Sequence, residues 1–213
     1  MNIRLLTKDE IECRVAQVAK DLKWCSVLLY KDARVDMRIL DETFGAMNWQ
    51  RSHEVVNGNL FCTVSVWDEE KGQWIKKQDV GVESKTEAEK GQASDSFKRA
   101  CFNLGIGREL YTAPTIFINL AAADIANGKV KTRFRLTKID YKDGAISELE
   151  VVDNKGVVRY SYPEKKVNKK SILGQIGKAK TLGELTAIFN QNPTLQNDQE
   201  FISALTAQKG KVA

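Results

Sequence analysis

Hydrophobic and polar positions change period along the chain, and the changes mark its elements. Spans 49–56, 60–67 and 73–82 read as a meander of three strands, the middle one rich in β-branched and aromatic residues. Asn57-Gly58 is the strongest short hairpin signal, and the polar run 68–72 supplies the second turn. A helical period follows. Ala93, Phe97, Ala100, Cys101 and Leu104 share one face of a helix of about twenty residues. The Ser84/Glu87 capping-box spacing opens that helix and Gly105 ends it. Upstream, Thr7 and Glu10 have the same spacing and predict a first helix, with Ile11, Val15 and Val18 on one face. Residues 21–34 read as a loop with an apolar patch at Val27, Leu28, Leu29 and Tyr30. A short helix over 35–44 places Val35, Ile39 and Leu40 together and stops at Gly45 in an αL cap.

Beyond an apolar stretch at 115–123, a second meander is expected over 129–141, 145–152 and 157–162. Its turns are Asp143-Gly144 and Asn154-Lys155-Gly156. Pro163 and the lysine-rich run 165–170 read as a linker, and two or three short helices fit 171–208. Consecutive strands followed by a helix give an α+β fold: a β-meander packed on a long helix, a second meander and a small helical tail. The expected division is a core over 1–163 and a basic linker with helices over 164–213.

Composition narrows the function. The chain has 213 residues, 42% apolar and 29% charged, as in ordinary globular proteins. No apolar run is long enough for a bilayer helix and the N-terminus lacks a signal-peptide stretch, so a cytoplasmic address is expected. Cys13, Cys25, Cys62 and Cys101 are scattered and read as reduced thiols. With His53 as the single histidine, a histidine metal cluster is impossible. No Gly-x-x-x-x-Gly-Lys-Ser/Thr run is present, so no P-loop ATPase site is recognisable.

Charge is distributed unevenly. Residues 1–128 carry 17 Lys and Arg against 19 Asp and Glu, a net of −2; residues 129–213 carry 16 against 9, a net of +7. Such asymmetry points to a polyanion. Lys129, Lys131, Arg133 and Arg135 alternate with Val130, Thr132, Phe134 and Leu136. On a strand all four cations project from one side, spaced by about 6.6 Å, which suits an extended phosphate backbone. The competing reading is a solvated face of a two-sided sheet. On the long helix, Lys98 and Arg99 lie opposite the apolar face. Phe102 stands on that polar side, either as a base-stacking platform or packed against another segment or subunit. Arg159, Lys165, Lys166, Lys169 and Lys170 form a cationic tether that either is merely solvated or adds phosphate affinity. The acidic groups Asp36, Asp41, Glu42 and Asp68, Glu69, Glu70 fix no pair of carboxylates around a metal.

From about Tyr30 to Tyr111 the sequence resembles the Rad fifty-two family of single-strand annealing proteins, in a bacteriophage or prophage form. The resemblance rests on three segments: Arg38-Ile-Leu-Asp-Glu-Thr-Phe-Gly-Ala-Met-Asn-Trp49, Gln78-Asp-Val-Gly81, and Ala93-Ser-Asp-Ser-Phe-Lys-Arg-Ala-Cys-Phe-Asn-Leu-Gly105. It implies a β-β-β-α annealing core that assembles into homo-oligomeric rings or filaments, binds single-stranded DNA in a basic groove and anneals complementary strands in recombination or repair. It implies no nucleotide hydrolysis, no cofactor and no covalent catalysis. Lys98 and Arg99 match the family's backbone-contacting Lys-Arg pair. Where the family often has another Arg, three residues after that Arg, this chain has Phe102. The counterpart of a basic residue in the family's first loop is one of Lys23, Lys31 and Arg34. The alternative expectation is a passive single-strand-binding protein without annealing activity; a metal-dependent nuclease is the third. The C-terminal helices are either a tether for a single-strand-binding protein or exonuclease, with Leu182, Leu185 and Phe189 as an apolar face, or a packed appendage.

Overall fold

A computed structural model of the chain describes residues 2–82, 88–164, 169–192, 195–196 and 198–212. The chain has an α+β fold and divides into two compact units that interleave along the sequence. One comprises Met1–Arg14, Leu28–Thr115 and Ile139–Ile146; the other comprises Val15–Val27, Ile116–Lys138 and Ser147–Ala213.

The first unit is built on an antiparallel meander of β3 (Trp49–Val56), β4 (Asn59–Asp68) and β5 (Gln73–Val80), in that order. Asn57 and Gly58 both take positive φ (50° and 76°), as a two-residue hairpin turn requires. The register runs from Trp49 opposite Val66 to Val56 opposite Asn59. Cys62, Val64 and Val66 point to one side and are buried beneath α2 (Ala88–Leu104), whose Phe97, Ala100 and Cys101 are fully enclosed. Trp49 stacks on Phe97, and Arg51 lies over the same ring at 4.7 Å. Gly81 lets the end of the meander approach α2: a Cβ there would stand 2.2 Å from the Gln92 carbonyl oxygen. The Ser84/Glu87 capping box lies outside the described residues.

Helix α1 (Ala33–Phe44) is capped by Asp32, which accepts the Arg34 N–H, and buries Val35, Ile39 and Leu40. Gly45 ends it with φ 86° and ψ 141°, a positive φ but not the αL cap expected.

Two expectations for the N-terminal region fail. Thr7–Glu10 nucleates only a 3-10 turn, Lys8–Glu10, and β1 (Glu12–Val18) follows it in place of a helix. Ile11 and Val15 fit both a helical and a strand period; the half-buried Cys13 between them belongs only to the second. The expected loop over 21–34 contains β2 (Trp24–Tyr30), with Cys25, Val27 and Leu29 buried on one face. Its turn from β1 is tight, with Leu22 at φ 58° and the Ala19 N–H donating to the Trp24 carbonyl.

Around the second unit's strands, β6 (Ile116–Asn119) pairs with β2, and the three-stranded sheet has the order β1-β2-β6. The second meander is β9 (Phe134–Lys142), β10 (Ala145–Asp153) and β11 (Val158–Tyr162), with β10 in the centre. The single strand expected over 129–141 is divided. A two-residue ladder joins β7 (Ile125–Ala126) to β8 (Lys129–Val130), and β9 begins only at Phe134. Asp124 causes the break: its carbonyl takes the Lys131 N–H and its carboxylate takes the Thr132 hydroxyl.

Helices α3 (Lys169–Lys178), α4 (Leu182–Gln191) and α5 (Gln199–Val212) enclose their own core of Ile176, Ala179, Leu185, Leu195 and Phe201. Leu185 and Phe189 of the expected apolar face pack into it, whereas Leu182 stays exposed. Among the described residues no helix is long and apolar enough to cross a membrane.

Candidate nucleic-acid interface

In the first unit, the meander fixes α2 and α2 carries the Lys98-Arg99 pair on the side away from Phe97. Arg99 is exposed, with Nε 3.4 Å from Asp79 Oδ1 at the end of β5. Asn103 holds the same Asp79 carboxylate at 3.3 Å and the Gln78 carbonyl at 3.1 Å, which ties the last turns of α2 to β5. Lys98 is half-buried and lies in the field of two α1 carboxylates, Asp32 and Asp36. Arg34 is the most exposed of the first-unit candidates and pairs with Asp32 at 2.7 Å. That contact and the Arg34 N–H hold the Asp32 carboxyl below its usual range.

Lys31 is not on the surface. It is 7% exposed and forms an ion pair with Asp36, which is fully buried. Gly107, at φ 74°, covers its stem so closely that a Cβ would meet Lys31 Cε at 2.4 Å. Burial pushes the Asp36 carboxyl up to about 6, against the pull of Lys31 and Lys98. Asp36 Oδ2 has no hydrogen-bond partner. An ammonium so enclosed is unavailable to an external phosphate.

Phe102 is half-buried, 4.7 Å from the Tyr111 ring, with the Arg108 guanidinium 5.6 Å from its own. Arg108 is fixed by donating to the Phe102 carbonyl at 2.8 Å and the Asn103 carbonyl at 3.0 Å. This exposed cation at the end of α2 was not among the residues expected from sequence. The Gly105-Ile-Gly107 turn returns the chain over the helix end, a placement that linear spacing does not display.

In the second unit, Lys129, Lys131, Arg133 and Arg135 are all exposed, while Phe134 and Leu136 are buried and Val130 and Thr132 half-buried. The alternation survives the interruption between β8 and β9. None of the four makes an ion pair among the described residues. Beneath them, Arg159 is spent on structure. It donates to Asp124 at 2.8 Å, Asp153 at 3.2 Å and the Asn119 carbonyl at 2.7 Å, and its guanidinium lies 5.8 Å from the Phe134 ring. Burial raises the Asp124 carboxyl, but Arg159 and the Ala121 and Thr132 donors outweigh it and bring the group down to about 2. Arg159 therefore leaves the expected cationic tether. Lys169 leaves it too, paired with Asp198 and Glu200 at 2.8 and 2.7 Å. Lys165 and Lys166 lie outside the described residues.

His53 donates to the Ala93 carbonyl at 3.2 Å. Cys25, Cys62 and Cys101 are buried, and burial pushes the Cys62 thiol up to about 11. Among the described residues no group of three or more His, Cys, Asp and Glu is arranged to hold a metal. The chain matches no protein-family model and no curated protein.

Proposed function

We propose that this protein binds single-stranded DNA through exposed cations and anneals complementary strands without nucleotide hydrolysis. The observation that carries the reading is the alternation of Lys129, Lys131, Arg133 and Arg135: four exposed cations, interleaved with half-buried Val130 and Thr132 and buried Phe134 and Leu136, and unneutralised by any described carboxylate. A lone phosphate needs one or two such groups; a row suits an extended polyanion. Lys98 and Arg99 form a second basic element, and Arg34 and Arg108 add exposed cations in the same unit. Arg108 over the Phe102 ring supplies a cation near the place where the family resemblance leads one to expect an arginine.

The chemistry follows from electrostatics. Neutralising phosphates lowers the repulsion between two strands, releases counterions and raises the local concentration of DNA. Base pairing then supplies the free energy of the product. No covalent bond is made or broken, so neither a nucleotide nor a metal is called for. The same reading places the protein in the cytoplasm of a bacterial host, acting as a homo-oligomeric ring or filament in phage recombination or repair. The C-terminal helices are then the segment that recruits a single-strand-binding protein or exonuclease.

Fluorescence anisotropy with a labelled single-stranded oligonucleotide, paired with an energy-transfer assay of annealing, tests the proposal. Lys98→Ala with Arg99→Ala should weaken binding and abolish accelerated annealing while leaving the far-ultraviolet circular dichroism unchanged. Wild-type binding without acceleration would identify a passive single-strand-binding protein. Unimpaired annealing by the folded double variant would remove Lys98 and Arg99 from the site.

A further inference from the structure

The face of the β3-β4-β5 sheet turned away from α2 is the polar, largely solvent-facing side of the meander. Cross-strand partners point to the same side. The register therefore groups Gln50, Ser65 and Lys76 in one row, Ser52, Thr63 and Gln78 in the next, and Trp67 with Trp74 at one end. A face that took another protein layer would present apolar side chains, as the α2 side does with Cys62, Val64 and Val66. This one surrounds a concavity of about 590 Å³ with hydroxyls and amides together with the charged Arg51, Glu54 and Lys76, and a row of Glu54, Phe61 and Val80 lies beyond it.

The hydrogen-bonding state of these groups matters more than their polarity. Ser65 is only 5% exposed overall, but its hydroxyl is not an enclosed orphan: it opens into the concavity, without a partner among the described residues. The Gln50 amide and Ser52 hydroxyl, on the exposed strand beside it, are equally unengaged among the described residues. Gln78 donates through Nε2 to Glu54 at 2.5 Å and to Thr63 Oγ1 at 3.1 Å, which fixes its amide plane. The Gln50 amide and the Ser52 and Ser65 hydroxyls each offer both a donor and an acceptor, and Gln78 keeps its Oε1 to accept. Such a mixed set matches the edge of a nucleobase; a phosphate would call for donors and cations alone. Trp74 meets Trp67 edge-on at 5.5 Å, is 37% exposed and stands two residues from Lys76 on the same face. It offers a π surface beside a cation, the combination on which unpaired bases stack.

We propose that this sheet face is a base-docking site for single-stranded nucleic acid, with one base stacked on Trp74 and the edge of a neighbouring base read by Gln50, Ser65 and Gln78. The proposal rests on the single-strand-binding reading above and adds to it a contact with bases, separate from the cations that hold the backbone. Such contacts hold a strand unstacked and extended, and a base whose edge is held here pairs only after it leaves the sheet.

The test is anisotropy titration of the full-length chain with a 20-nucleotide oligothymidylate and with an abasic oligomer of equal length, each over a series of salt concentrations. Trp74→Ala should lower affinity for the oligothymidylate by about tenfold, the effect of one stacked base. It should leave affinity for the abasic oligomer and the slope of log K against log salt unchanged. Trp74→Phe should restore most of the loss, and Gln50→Ala with Gln78→Ala should repeat the base-selective effect without touching the aromatic pair. Trp74→Ala binding both oligomers like the wild type would overturn the proposal, as would equal losses on both. Unchanged DNA binding with loss of self-association would overturn it in favour of a second copy of the chain on this face. Failure of the single-strand reading has a different signature: the wild type then binds neither oligomer at low salt.

Discussion

At the scale of single residues, the charges divide into buried ones that organise the fold and exposed ones left for a ligand. Lys31 and Asp36 belong to the first kind. Two ions out of water stabilise little as a pair, but removing one strands the other. Lys31→Met should therefore cost about 3–5 kcal/mol at pH 7, measured by urea unfolding. Because the native Asp36 carboxyl sits near 6, above its ordinary 3.8, the folded state holds a proton there that the unfolded state has released. Its contribution to stability thus falls as pH rises through the window from about 4 to 6. Glu10 has the opposite sign. Arg4 at 2.7 Å and the Thr7 donors outweigh burial and hold its carboxyl down at about 2, against an ordinary 4.5. Its stabilisation is present at neutral pH and lost as pH falls from about 4.5 to 2. Glu10→Gln should cost about 1.5–3 kcal/mol at pH 7, with the difference from wild type vanishing near pH 2 in thermal melts.

At the scale of elements, the meander and α2 were legible because each carries a single period and strong punctuation. Asn57-Gly58 fixes one turn, and Phe97, Ala100 and Cys101 have no alternative to the core. The N-terminal strand was not legible, because Ile11 and Val15 satisfy two periods at once and the Thr7-Glu10 cap is real but serves one 3-10 turn. Lys31 read as a surface cation because nothing in the chain order shows Gly107 closing over it. The alternation of cations and apolar residues over 129–136 was legible in full, although the strand is interrupted by Asp124, a partner that only the fold supplies. Arg108 went unread because a turn of two glycines brings it back over α2. One contact at this scale is steric. Gly81→Ala would drive a methyl group into the Gln92 carbonyl at 2.2 Å, so it should lower stability by more than about 2 kcal/mol, well beyond an exposed Gly→Ala such as Gly174→Ala. Equal melting temperatures for the two variants would contradict the packing of β5 on α2.

At the scale of the whole molecule, the account is electrostatic. Each phosphate contact on a single strand contributes roughly 0.7 to the slope of log K against log salt. Replacing Lys129, Lys131, Arg133 and Arg135 together by alanine should therefore flatten that slope by up to about 3, with the folded state preserved because none of the four supports the core. The most direct measurement is the rate at which two complementary labelled oligonucleotides pair in the presence of the protein, without nucleotide, from low to high salt. The account predicts pairing many-fold faster than the protein-free rate at low salt, with the advantage collapsing steeply as salt rises. Pairing no faster than without protein, or an acceleration indifferent to salt, would contradict it.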